Sequence, residues 1–135
     1  MKIAVDAMGG DFAPKEIVAG AILAAKRYDC EIVLVGDQTQ IQKELDKNYP
    51  EWRKSTISIH HASDVVGMGE HPGVAVRRKK DSSIVVATRL VKEGKCDAVL
   101  SAGNTGAAAA SALFILGRIK GIDRPAMAPV IPAYK

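Results

Sequence analysis

At 135 residues the chain is of single-domain size and long enough to bury a core. Its 47% hydrophobic and 25% charged residues are those of an ordinary globular protein, and its 4% aromatics, not interleaved with the basic residues, argue against a base-stacking nucleic-acid module. The net charge of +4 suits an acidic partner or an anionic ligand, and no apolar run approaches the ~20 residues that span a bilayer.

The N-terminus runs straight into a first buried strand, Ile3-Ala4-Val5, with no signal-peptide pattern, and Asp6 ends it. The loop AMGGDFAP follows, and Pro14 opens a helix at the position proline tolerates best. Ile17, Val18, Ala21, Ile22 and Ala25 form one stripe, so that helix buries one face to about Tyr28. Ile32-Val33-Leu34-Val35 is a second buried strand, stopped by Gly36-Asp37. A polar helix over about Gln38 to Lys47 leads to a break at Asn48-Tyr49-Pro50, and Thr56–His60 alternates as a third strand. A loop containing Gly67, Gly69 and Gly73 precedes the basic run Arg77-Arg78-Lys79-Lys80. Ile84, Ala87, Thr88 and Val91 then recur at helical spacing, with Asp81 or Ser82 as the cap and Gly94 as the stop. Cys30 and Cys96 are isolated, without metal-ligand spacing, and read as reduced thiols of a cytosolic protein.

The stretch Asp97–Leu116 organises the rest. Ala98-Val99-Leu100 is an apolar run bounded by polar residues, the mark of a strand buried on both faces. The turn Ser101-Ala102-Gly103-Asn104-Thr105-Gly106 leads into an alanine-rich helix, with Asn104 and Thr105 as cap candidates. Pro125, Pro129 and Pro132 punctuate the tail. Strands alternating with helices predict one α/β domain over residues 1–135 with a largely parallel sheet. Ligands collect outside the carboxyl ends of such strands, which brings Ala7–Ala13, Val65–Lys80 and Ser101–Thr105 to one edge.

Two readings stand for that edge. In one, Gly9, Gly10, Gly103 and Gly106 bare the backbone to an anion, most naturally phosphate, at a helix N-terminus. In the other, the segment is an ordinary capped turn. No Lys follows Gly106, so this is not a Walker loop. Asp6 and Asp11 either orient a donor or order a glycine turn by accepting N–H bonds, and the second role is favoured because phosphate beside them would be repelled. On a helix, Arg77 and Lys80 share a face while Arg78 and Lys79 point elsewhere, so one subset can clamp phosphate and the other can receive an acidic protein. Alternatively the run is a solvated face. His60 and His61 face opposite ways on a strand; His71, in the glycine loop, is the histidine placed for acid–base work. Ser101 and Ser111 lie in no nucleophile motif, and no metal or cofactor is expected.

MKIAVDAMGGD at the start, VRRKKDSS in the middle and SAGNTG with its alanine helix, followed by GRIKGIDRP, together resemble the PlsX family. These are the phosphate:acyl-acyl-carrier-protein acyltransferases of bacterial phospholipid synthesis. The resemblance implies a three-layer α/β/α fold similar to the phosphate acetyltransferases and the isocitrate dehydrogenase group. It also implies transfer of a fatty acyl group from acyl carrier protein to inorganic phosphate, by a cytoplasmic or membrane-peripheral homodimer that needs no cofactor and binds no nucleic acid. Family members are well over twice this length, so the chain, ending at Lys135, is expected to be an N-terminal portion with apolar surface left uncovered.

Within that frame, Ser101, Gly103, Asn104, Thr105 and Gly106 are expected to hold phosphate, with Arg77 or Lys80 neutralising charge. Gly9 and Gly10 would admit the thioester, Asp6 and Asp11 would order their loop, and Arg78 and Lys79 would attract the carrier protein. His71 and Asn104 are the catalytic candidates. The alternative is a non-catalytic phosphate- or nucleotide-binding module.

Overall fold

The computed structural model describes residues 1–123, 125–128 and 130–133; Pro129 and Lys135, named above, lie outside them. Four parallel strands, β1 (Lys2–Asp6), β2 (Glu31–Gly36), β3 (Ile57–His61) and β4 (Ala98–Leu100), form a sheet in the order β3-β2-β1-β4. Helices α1 (Lys15–Arg27) and α2 (Gln38–Asn48) cover one face. On the other face lies α4 (Ser83–Lys92), with α3 (Pro72–Arg78) and α5 (Thr105–Ser111) packed outside and beside it. The result is the three-layer α/β/α arrangement that the alternation of strands and helices implies.

Strand alternation divides the core. Ile3, Val5, Ile32, Leu34 and Ile57 face α1 and α2, where they meet Val18, Ile22, Ile41 and Leu45. Ala4, Val33 and Val35 face α4, where they meet Val86, Ala87 and Leu90. Burial of α4 is nearly all-round, because α3 and α5 take up Ile84 and Val85 on its outer side. The Asp37 carboxylate starts α2 by accepting from the Gln40 N–H at 2.9 Å.

Several expectations are corrected. Pro14 is the N-cap of α1 rather than its first helical residue. Ser82 holds the N-cap position of α4, but its hydroxyl turns back to the Lys79 carbonyl at 2.8 Å, while Asp81 accepts from the N–H and hydroxyl of Ser63. The stretch before the basic run is helical: α3 starts at Pro72 and stops at Arg78, so Arg77 and Lys80 share no helix face. The alanine helix shortens to α5 and continues as one π-helical turn, Ala112–Leu116. Finally, β4 pairs only with β1 in the described sheet and is half exposed, not buried on both faces.

Candidate functional site

The sheet register builds the carboxyl edge. Val5 pairs with Leu100, so the next residues of each strand, Asp6 and Ser101, emerge side by side. Asp6 is 3% exposed, and its Oδ2 accepts from the Ser101 hydroxyl at 2.7 Å. Its Oδ1 accepts from the Met8 N–H at 3.3 Å, and Ser101 Oγ in turn accepts from the Gly103 N–H at 3.1 Å. A buried carboxylate is tolerable only with such donors. Asp6 thereby ties the loop after β1 to the turn after β4; Asp11 is exposed in that loop.

The glycines serve these contacts. A Cβ on Gly103 would stand 2.8 Å from the Gly9 Cα, and one on Gly9 would stand 2.4 Å from Asp6 Oδ2. Gly10, at φ 120°, lies against the Ala102 carbonyl, and a Cβ on Gly106 would meet the Pro72 ring at 2.5 Å. The two loops therefore meet backbone to backbone. The bare surfaces of Gly9, Gly103 and Gly106, expected to face a ligand, are turned toward neighbouring chain.

Asn104 is the N-cap of α5, its Oδ1 accepting from the Ala107 N–H at 3.0 Å. Its Nδ2 donates to the carbonyls of Gly67, Met68 and Glu70 at 3.1, 3.3 and 3.2 Å. Both ends of the amide are occupied within the chain, and the side chain fastens the Gly67–Glu70 loop to the turn. Thr105 is exposed at the start of α5.

The basic run divides differently from its sequence reading. Lys79 Nζ donates to Glu70 Oε1 at 2.8 Å and to the Val65 carbonyl at 2.7 Å, and lies 3.5 Å from Asp64 Oδ1. Lys79 is thus a strut for the 64–70 loop. The hydrogen bond from Lys79 holds the Glu70 carboxyl below its ordinary value, aided by the Gly67 N–H, and the same bond raises Lys79. The Arg77 guanidinium lies over the Phe114 ring, 4.8 Å from its centroid, at the far end of α3 from the Pro72–Gly106 contact. That places Arg77 away from the Thr105 turn. Arg78 and Lys80 are exposed. His71 is exposed at the N-cap of α3, adjoining the Pro72 that touches Gly106, and with Glu70, Val74 and Arg78 it borders a separate shallow depression.

The three loops predicted to share an edge do meet there. Glu70 and Asp64 join the site without having been candidates; acidic residues flanking a glycine loop near a double lysine are the sequence signal for them. Among the described residues no group of His, Cys, Asp or Glu is placed to hold a metal ion, and no helix is long and apolar enough to cross a membrane.

A parallel three-layer α/β/α unit with glycine-rich loops gathered at its carboxyl edge defines the class. The chain belongs to the family described as fatty acid synthesis protein, whose pattern matches residues 1–135. It is 59% identical over 135 residues to the phosphate acyltransferase of Pelotomaculum thermopropionicum, covering 100% of this chain and 39% of that protein. The phosphate acyltransferase of Desulforamulus reducens is 61% identical over 135 residues (100% of this chain, 40% of that protein). That of Clostridioides difficile is 50% identical over 135 residues, again 100% of this chain and 39% of the relative. The chain spans about two fifths of the length of these curated relatives.

Proposed function

We propose that the protein to which these residues belong moves a fatty acyl group from the thioester of an acyl carrier protein to inorganic phosphate, releasing acyl phosphate and the carrier thiol. Identity of 59% and 61% across all 135 residues to proteins named phosphate acyltransferase carries this reading. Phosphate is already anionic at neutral pH, so its attack needs positioning and partial desolvation more than a base. Thr105 supplies a hydroxyl and, with Gly106, N–H groups at the start of α5, where an oxyanion is favoured. Asp6 and Ser101 hold that turn from behind, and Asn104 fixes the wall beside it. We assign His71 the delivery of a proton to the departing thiolate, and exposed Arg78 and Lys80 the attraction of the acidic carrier. The family resemblance supports a cytoplasmic or membrane-peripheral homodimer as the working form.

The test is made in the full-length context. Thr105→Val is expected to raise the KM for phosphate about tenfold for every acyl chain length, the loss of one hydrogen bond to a charged ligand. Unchanged phosphate dependence overturns the Thr105 assignment. Stabilisation by phosphate without any acyl phosphate formed from long-chain acyl carrier protein overturns the enzyme reading in favour of a binding module.

A further inference from the structure

Crossover handedness leaves one part of the sheet without a helix. The path β1–α1–β2–α2–β3 steps in one direction and puts both helices on one face. The return from β3 to β4 puts α4 on the other face, and α5 follows it there. A strand added beyond β4 by the same rule keeps its connecting helix on the α4 face too. The first face, over β1 and β4, therefore gains no helix from this path.

An apolar cleft of about 530 Å³ lies there, with Ile3, Val5 and Leu100 as its floor and Ile17, Gly20 and Ala24 of α1 as its wall. Leu100 is 54% exposed at that floor. Gly20 sits in the interior of α1, where glycine weakens a helix relative to alanine, yet nothing lies within 4 Å of where its Cβ would be. No neighbour among the described residues requires a glycine there, whereas a second backbone crossing α1 would. The relatives supply the chain: residues 1–135 match only 39% and 40% of their length, at the N-terminal end.

We propose that a helix from the relatives' C-terminal portion lies in this cleft, crossing α1 at Gly20 and covering Leu100. It arrives by a connection running back from the β4 side of the sheet toward β3. This stands independently of the acyl-transfer reading, since it rests on topology and packing alone.

Cys30 lines the cleft and is half-buried, while Cys96 is buried and serves as an internal reference. The rate at which Cys30 reacts with a maleimide is compared in the 135-residue chain and in a chimera carrying the rest of the Pelotomaculum relative after Lys135. The expected result is reaction at least about tenfold slower in the chimera, at protein concentrations dilute enough for the 135-residue chain to be monomeric. Equal rates overturn the proposal. Protection that grows with chimera concentration assigns the cleft to a second copy, and protection that requires added dodecanoate assigns it to an acyl chain; either overturns it. A second variant needs no chimera: Gly20→Ala in the 135-residue chain is expected to raise Tm by about 3 °C. A fall in Tm would show that Gly20 is already in close contact, and overturns the proposal as well.

Discussion

Asn104 shows how much one side chain decides at this edge. A single amide caps α5 through its oxygen and holds three carbonyls of a loop 34 to 37 residues earlier through its nitrogen. The cap was legible in the sequence, because Asn followed by a helical run has a local meaning. The second role was not, since it depends on which loop arrives beside the turn. The same holds for Gly103: its smallness was visible, but whether ligand or backbone occupied the space was not. Because backbone fills it, Gly103→Ala should destabilise the chain by about 1–3 kcal/mol, as the 2.8 Å approach to the Gly9 Cα leaves no flexible atom to yield. Chemical denaturation checks this, and a neutral result would mean the two loops separate freely.

At the level of elements, the strands were the easiest to read. Ile3–Val5 and Ile32–Val35 are short apolar runs with polar ends, and each strand extends only a residue or so beyond its run. Two elements escaped for a physical reason: α3 is only seven residues long and carries a glycine and a proline, and the exposure of β4 depends on what lies beside it. The Val65–Glu70 loop takes its hold from charge as well as from Asn104. The Glu70 carboxyl is held below its ordinary value by Lys79, so this contribution is present above about pH 4.3, the unfolded value, and fades as pH falls through the lower folded one. Lys79 is raised, so its contribution is complete below about pH 10.4 and is lost as pH rises through the folded value. Glu70→Gln should therefore speed amide exchange in residues 65–70 at pH 7, with the difference shrinking as pH falls through the lowered folded value. An equal effect above and below that value would mean the ion pair does not hold the loop.

On the scale of the molecule, the described residues leave apolar surface uncovered along one side. Leu23 and Tyr28 of the α1 region are 68% and 60% exposed, and Leu100 is open at the cleft floor. Exposed apolar side chains of this kind favour association. Sedimentation of the 135-residue chain should show self-association rising with concentration, reduced by the pair Leu23→Lys and Leu100→Ser; a monomer at high concentration would contradict this. The strand order also governs how the molecule comes into being. β1 is the first strand to be translated, yet it ends between β2 and β4, and Asp6 meets its hydroxyl partner 95 residues later. At about 5–20 residues per second, roughly 5 to 20 seconds of synthesis separate those two residues. For that interval the nascent β1 has one edge without a mate and its carboxylate stays in water, so this half of the sheet closes only when the turn after β4 has left the ribosome.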